Sequence, residues 1–374
     1  MRLIGTLAEE GKYDPLAFAH FLKTRGIDAR IEVIDPSESA AASYRIWVIE
    51  EDQVEETLRL YNEYKENPQN SLYKQGLGSY LKKPAPTYNR SRVSKRTFAP
   101  LSTLIIAMTI MLFMWARFQG HPGTPPTLKG VIEGPLLSPI ERTLLFDYPE
   151  YFEIRDTLFT EWPLQEIKKK QPPSTTALAI LQKLHKREVW MGIYNRILLH
   201  KENASIPLQY TGPLFEKISE GQFWRLLTPA FLHFDILHIF FNLLWFVILS
   251  NQIELRIGSF RTLLFILLTG VASNTAQYLI SGPFFMGLSG IVCAMAGFIW
   301  ARQQKAPWEG YLVQRLTLIF LGIFILGMFA LSTTFFLLEF FKGTSITMPI
   351  ANTAHLAGAL LGYLLGRTSL FASH

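Results

Sequence analysis

The chain contains a single cysteine, Cys293, among its 374 residues. No disulfide can form within it, so any part outside the cytoplasm must hold together without one. No cysteine pair or His/Cys cluster stands at metal-ligand spacing, and no metal or cofactor is expected. Charge is also scarce: charged residues are 18% of the chain, against about 25% in ordinary globular domains. Basic and aromatic residues are not interleaved as they are where proteins grip RNA or DNA, so no nucleic-acid partner is expected. The opening stretch MRLIGTLAEEGKYDP lacks a basic head followed by an apolar core, and is not expected to be a cleaved signal peptide.

What is abundant is apolar: 49% hydrophobic and 13% aromatic residues. They gather in blocks, which marks a membrane protein with polar parts. The formal net charge of +6 then reads as topology information. Residues 1–72 read as a small soluble α+β domain: strands at Leu3–Leu7, Ala29–Ile34 and Tyr44–Val48, helices at Pro15–Arg25 and Glu51–Lys65, and a turn at Asp35-Pro36-Ser37. Residues 73–100 are a basic linker. A first span follows over 101–118, with Leu101 to Trp115 as its apolar centre. Residues 119–222 contain no apolar run of the ~20 residues a span needs. Within them Ala177–Leu199 is a candidate amphipathic helix, lying either on the membrane surface or packed in a small soluble insert. The sequon-like Asn203-Ala-Ser205 in the same segment reads as chance. Residues 223–374 hold five more apolar blocks, at about 231–250, 262–280, 289–301, 316–338 and 352–366.

Six spans put both termini on one side. Arg256, Arg261, Arg302, Lys305, Arg315 and Arg367 share the side of the basic linker, which the positive-inside tendency assigns to the cytoplasm. The 119–222 segment and the loops SGPFFMG and FKGTSITMP then lie outside.

Four polar side chains stand out in or at the mouth of spans: His238, Asn242, Ser289 and His355. Such groups are expensive in lipid and are functional candidates. Counting roughly 1.5 Å per residue back from the cytoplasmic ends places Asn242, Ser289 and His355 roughly 10 Å below the outer surface. Small residues stripe span six (Ala354, Gly358, Gly362, Gly366) and span four (Ser289, Cys293, Gly297), so the two backbones can approach closely. Ser289 alone reads equally as a packing residue; with His355 at its depth it reads as a nucleophile beside its base. No Asp or Glu lies at this depth on either span, which implies a Ser-His dyad. His238 and Asn242, four residues apart on one helix face, suit an oxyanion hole together with the Ser289 N–H at a helix start.

The segments GQFWRLLTPAFLHFDILHIFFNLLWF, IELRIG, GLSG and ANTAHLAGALLG carry HxxxN, GxSG and AHxxG elements in order. Here the chain resembles the rhomboid family of intramembrane serine proteases, over roughly residues 222–366 and the first span, with an N-terminal domain similar to that of the bacterial GlpG type. The resemblance implies a membrane all-α six-helix rhomboid bundle preceded by the α+β domain, in a bacterial inner membrane with both termini cytoplasmic. It implies Ser289 as nucleophile, His355 as general base, and His238 and Asn242 as oxyanion-stabilising groups. It makes His233 a structural histidine, and Trp224, Arg225, Glu254, Arg256 and Gly258 scaffold positions. Implied partners are the lipid bilayer and single-span transmembrane proteins, cleaved through an acyl-enzyme. Two features depart from the family pattern: Cys293 stands where many relatives carry an aromatic stacked on the base, and the segment between the first two spans is much longer. The alternatives are a rhomboid-like protein that binds membrane helices without cutting them, and a small-molecule transporter; the latter is disfavoured by the absence of an internal repeat.

Overall fold

The structure, a computed structural model, describes residues 2–8, 13–34, 43–48, 50–74, 98–120, 128, 131, 134–343 and 352–373. The turn expected at 35–37, most of the basic linker and the FKGTSITMP loop beyond Gly343 lie outside the described residues. The chain divides into two compact units, Met1–Lys95 with Gln303–Gly310, and Arg96–Arg302 with Tyr311–His374.

The first unit is built on an antiparallel sheet of β1 (Arg2–Ala8), β2 (Ala29–Ile34) and β3 (Ser43–Val48), with β3 in the middle. Helix α1 (Pro15–Thr24) starts where the Asp14 carboxylate accepts from the Ala17 N–H and Pro15 fixes the first turn. It buries Phe18 and Leu22, and α2 (Val54–Glu66) buries Leu60, Tyr61 and Tyr64 on the same core. The Tyr61 ring takes the space a side chain at Gly5 would need, beside the point where the β1–β3 register slips. The sequence reading located these elements to within a few residues; at its start the last helix opens with a 3₁₀ turn over Glu51–Gln53.

The second unit is helical. Helices α3 (Pro100–Phe118), α4 (Pro139–Leu144), α5 (Glu150–Glu161), α6 (Thr175–His185) and α7 (Gly192–Glu202) precede α8 (Ile236–Ile257), α9 (Ser259–Ser281), α10 (Ser289–Lys305), α11 (Arg315–Lys342) and α12 (Asn352–Gly366). Among the described residues four helices, α3, α8, α9 and α11, are long and apolar enough to cross a membrane. The others in the bundle, α10 and α12, have 17 and 15 residues. At about 1.5 Å per residue they reach roughly 25 and 22 Å, short of a full hydrocarbon core.

The second apolar block was expected to begin near 231, but α8 begins at Ile236. The residues before it form 3₁₀ turns at Phe223–Leu226 and Thr228–Phe231, and the Asp235 carboxylate accepts the His238 N–H at 2.9 Å to cap the helix. At its other end Gly258 adopts φ +84°, and α9 follows at once.

Glu254, buried near that corner, accepts from Leu101 N (2.9 Å), Ser102 N (2.7 Å), Ser102 Oγ (2.7 Å) and Ser259 Oγ (2.6 Å). One carboxylate thus caps the first turn of α3 and ties it to the α8–α9 corner, where the positive helix end favours a negative charge. Glu254→Ala strands these donors and is expected to cost about 3 kcal/mol or more. Thermal unfolding in detergent should show a fall in Tm of several degrees, with a smaller fall for Glu254→Gln; an unchanged Tm for both would contradict the capping role.

The candidate amphipathic helix over Ala177–Leu199 is two helices, α6 and α7, separated by residues 186–191. The reason is packing. Trp190 turns inward to donate its indole N–H to Tyr278 O at 3.1 Å, and Gly192 takes φ +91° where a Cβ would lie 2.4 Å from Ile280 O. Of the two earlier alternatives, burial favours the packed insert: Ala177 and Leu184 of α6 are inaccessible.

Candidate active site

The site depends on how closely α10 and α12 lie. A Cβ at Gly358 would fall 2.1 Å from Gly290 O, one at Gly362 1.9 Å from Ala294 O, and one at Gly297 2.2 Å from Ala359 O. The stripes of small residues therefore bring backbone against backbone along three successive contacts. At the far end Arg302, itself buried, donates from Nη1 to Gly366 O at 3.1 Å and satisfies a terminal carbonyl of α12. The two helices run parallel, with Ser289 and His355 both at their starting ends.

Ser289 Oγ and His355 Nε2 are 2.7 Å apart, a hydrogen bond between separate helices. Both residues are half-buried. Among the described residues no carboxylate hydrogen-bonds His355. An imidazole at this distance has the geometry to take a hydroxyl proton. A third helix steadies the pair: Gln277 of α9 accepts the Ala354 N–H through Oε1 at 3.0 Å, and the Ser273 hydroxyl lies where a Cβ on Gly290 would be 2.7 Å away.

His238 and Asn242 of α8 converge on Gly287, two residues before α10 begins. Gly287 has φ +126°, and a Cβ there would lie 2.8 Å from His238 Nε2 and 3.6 Å from Asn242 Nδ2. Glycine meets both demands at once, the left-handed φ and the close approach of two polar side chains. The Asn242 amide also donates to His238 O at 3.0 Å, which fixes its orientation and leaves its second N–H available. The free N–H groups of the first turn of α10 lie alongside. His233 packs edge-on against His238 with ring centroids 4.9 Å apart, and burial pushes its imidazole down to about 3, so it is uncharged.

Arg225 Nη1 donates to Arg142 O (2.8 Å) and Leu145 O (2.7 Å), and Trp224 Nε1 donates to Thr143 O (3.2 Å), so this pair fastens α4 to the bundle. Cys293 lies one turn below Ser289 and lines an apolar crevice of about 170 Å³ between α10, α11 and α12, with Gly322, Ile325 and Tyr363. No ring from position 293 stacks on His355. Among the described residues, no group of three His, Cys, Asp or Glu side chains is placed to hold a metal ion.

Sequence reasoning named four polar groups in the spans, but the site has more. Ser273, Asn274 and Gln277 of α9 are all buried; Asn274 Nδ2 donates to Leu226 O at 3.0 Å. Their signal was present as three uncharged polar residues within about one turn of an apolar helix. Gly287 was visible as the first glycine of the GxSG element, but its contact with His238 and Asn242 was not. Residues 220–370 match the family model described as Rhomboid domain.

Proposed function

We propose that the chain, whose residues 220–370 match the rhomboid domain model and whose described residues include four helices long and apolar enough to cross a membrane, is a multi-pass intramembrane serine endopeptidase of the rhomboid family. Its substrates are single-span membrane proteins, cut within or beside the membrane segment. The observation that carries this reading is the 2.7 Å contact between Ser289 Oγ and His355 Nε2, set beside His238 and Asn242.

The reaction follows from the geometry. Ser289 Oγ attacks the scissile carbonyl carbon while His355 Nε2 takes its proton. The carbonyl π pair moves onto oxygen, and that oxyanion accepts from Asn242 Nδ2, His238 Nε2 and the Ser289 N–H. Collapse of the tetrahedral species breaks the C–N bond, and His355 returns the proton to the leaving amine. Water, deprotonated by the same imidazole, then releases the acyl group.

On this reading α3 and α8 to α12 are six spans, with α10 and α12 short because their starting ends open into a water-accessible depression. The N-terminal unit is a soluble domain, both termini are cytoplasmic in a bacterial inner membrane, and residues 119–222 lie outside. The positions of the basic residues between helices support that orientation.

Asn242→Ala removes a donor from the oxyanion and should lower kcat by about 10²–10³ with a much smaller change in KM, and His238→Ala should act in the same direction. The measurement is cleavage of a model single-span substrate in proteoliposomes. Wild-type kcat in both variants would remove the oxyanion assignment. A wild type that retains the substrate helix without cutting it would leave the binding alternative.

A further inference from the structure

The loop from Gly282 to Leu288 joins α9 to Ser289, and each residue from Gly282 to Met286 except Pro283 is gripped by the insert. A Cβ at Gly282 would lie 2.8 Å from the Met191 carbonyl carbon, so the two backbones touch. Phe284 meets the Phe152 ring edge-on at 4.7 Å, and the Arg155 guanidinium lies 4.8 Å from Phe152 and 6.0 Å from Phe284. Phe285 packs 5.8 Å from Phe146 in a cluster with Trp190 and Tyr278. Met286 is buried in the core of the insert itself.

Arg155 is the keystone of this contact. Its side chain is fully buried, yet its charge is matched by Asp156 Oδ1 at 3.0 Å and its remaining donors reach Pro135 O (3.1 Å) and Gly134 O (3.3 Å). A buried guanidinium held by a carboxylate and two carbonyls has a fixed place, and so has the aromatic pair stacked beneath it. Gly134, whose carbonyl is one of those acceptors, is so close to Phe284 that a Cβ would fall 2.6 Å from its ring.

After Met286 come Gly287, against which His238 and Asn242 rest, then Leu288 and Ser289. A short loop whose side chains are locked on one side delivers its last residues to one place. Resting on the protease reading above, we infer that Phe152 and Arg155 are positioning residues for the reaction: acting through Phe284, the insert sets where Gly287 and the Ser289 N–H stand relative to the oxyanion and to His355. The segment's role is exerted on the enzyme's own backbone.

The test compares Phe152→Leu with Leu184→Ala, a truncation of another buried residue of the insert on α6, in the full-length protein. Cleavage kinetics, the rate of Ser289 labelling by a serine-directed phosphonate, and hydrogen exchange of the 286–289 amides are read at a temperature where both variants are folded. Misplacing reacting groups by a fraction of an ångström is expected to lower kcat about tenfold. Phe152→Leu should show that fall with KM within about twofold, a proportional fall in labelling, and faster exchange at 286–289, none of which Leu184→Ala shares. Restoring an aromatic with Phe152→Tyr should recover most of the rate. Equal effects in Phe152→Leu and Leu184→Ala, or no change in either, would overturn the inference. If the wild type neither cleaves nor labels, the protease reading fails, while the exchange comparison still decides whether the insert holds the loop.

Discussion

Ser289→Ala is expected to abolish proteolysis, lowering kcat for a single-span substrate by on the order of 10⁴-fold or more. The magnitude follows from the role. A nucleophile that forms the covalent intermediate cannot be replaced by tighter binding, and only oxyanion and positioning effects remain without it. His355→Ala should cost a similar factor, because the hydroxyl left behind has no base within 2.7 Å. The double variant should lose little beyond either single change, since the two groups act as a unit. KM should move little in any of the three. An additive loss would indicate that the two side chains contribute independently and that their hydrogen bond is not part of the chemistry.

The second large effect is expected far from any reacting atom. At Gly362 the added Cβ of even an alanine would stand 1.9 Å from the Ala294 carbonyl oxygen. That contact is backbone, so no side chain can rotate away, and α10 and α12 must separate. Gly362→Val is expected to destabilise the protein by ~3 kcal/mol or more, and in whatever folded fraction remains the Ser289–His355 hydrogen bond should be broken. Gly362→Ala should fall between, with reduced Tm and at least a tenfold loss of labelling rate. Gly327 on α11 supplies the control, because nothing lies within 4 Å of a Cβ there. Gly327→Ala should be neutral or slightly stabilising, as removing a helix-interior glycine is worth up to about 1 kcal/mol. Indistinguishable Tm values for Gly362→Val and Gly327→Ala would mean that the close helix contact does not hold the pair together.

The same glycines explain how much could be read in advance. The stripe Ala354, Gly358, Gly362, Gly366 has a helical period and faces one way, so the sequence alone implies a close partner. Of the partner's stripe Ser289, Cys293 and Gly297, Gly297 makes the close backbone contact, and Gly290 and Ala294, one position along, supply the other two. Depth followed from the constant rise of a helix, and that is why Ser289 and His355 could be paired without coordinates. Register of this kind is local and additive.

What could not be read depends on contacts between segments distant along the chain. The insert has ordinary amphipathic periodicity across residues 177–199, and nothing local breaks it. The break between α6 and α7 is imposed by Trp190 reaching Tyr278 and by Gly192 pressing on Ile280. Likewise Gln277 has a role only because it meets the start of α12, and Arg155 only because Phe284 lies beneath its stacked partner. The start of α8 was misplaced for a different reason. Hydropathy runs on through Ala230, Phe231 and Leu232, while the true boundary is a cap, Asp235, whose short polar side chain weighs little in an apolar average.

On the protease reading, an imidazole on one helix makes the Ser289 hydroxyl on another nucleophilic. The most direct measurement is intact-protein and peptide mass spectrometry after treatment with a serine-directed phosphonate, on wild type, Ser289→Ala and His355→Ala in the same detergent. On that reading one adduct per wild-type chain is expected, carried by the peptide containing Ser289, and none on either variant. An adduct on any other residue, or labelling of His355→Ala at the wild-type rate, would contradict it.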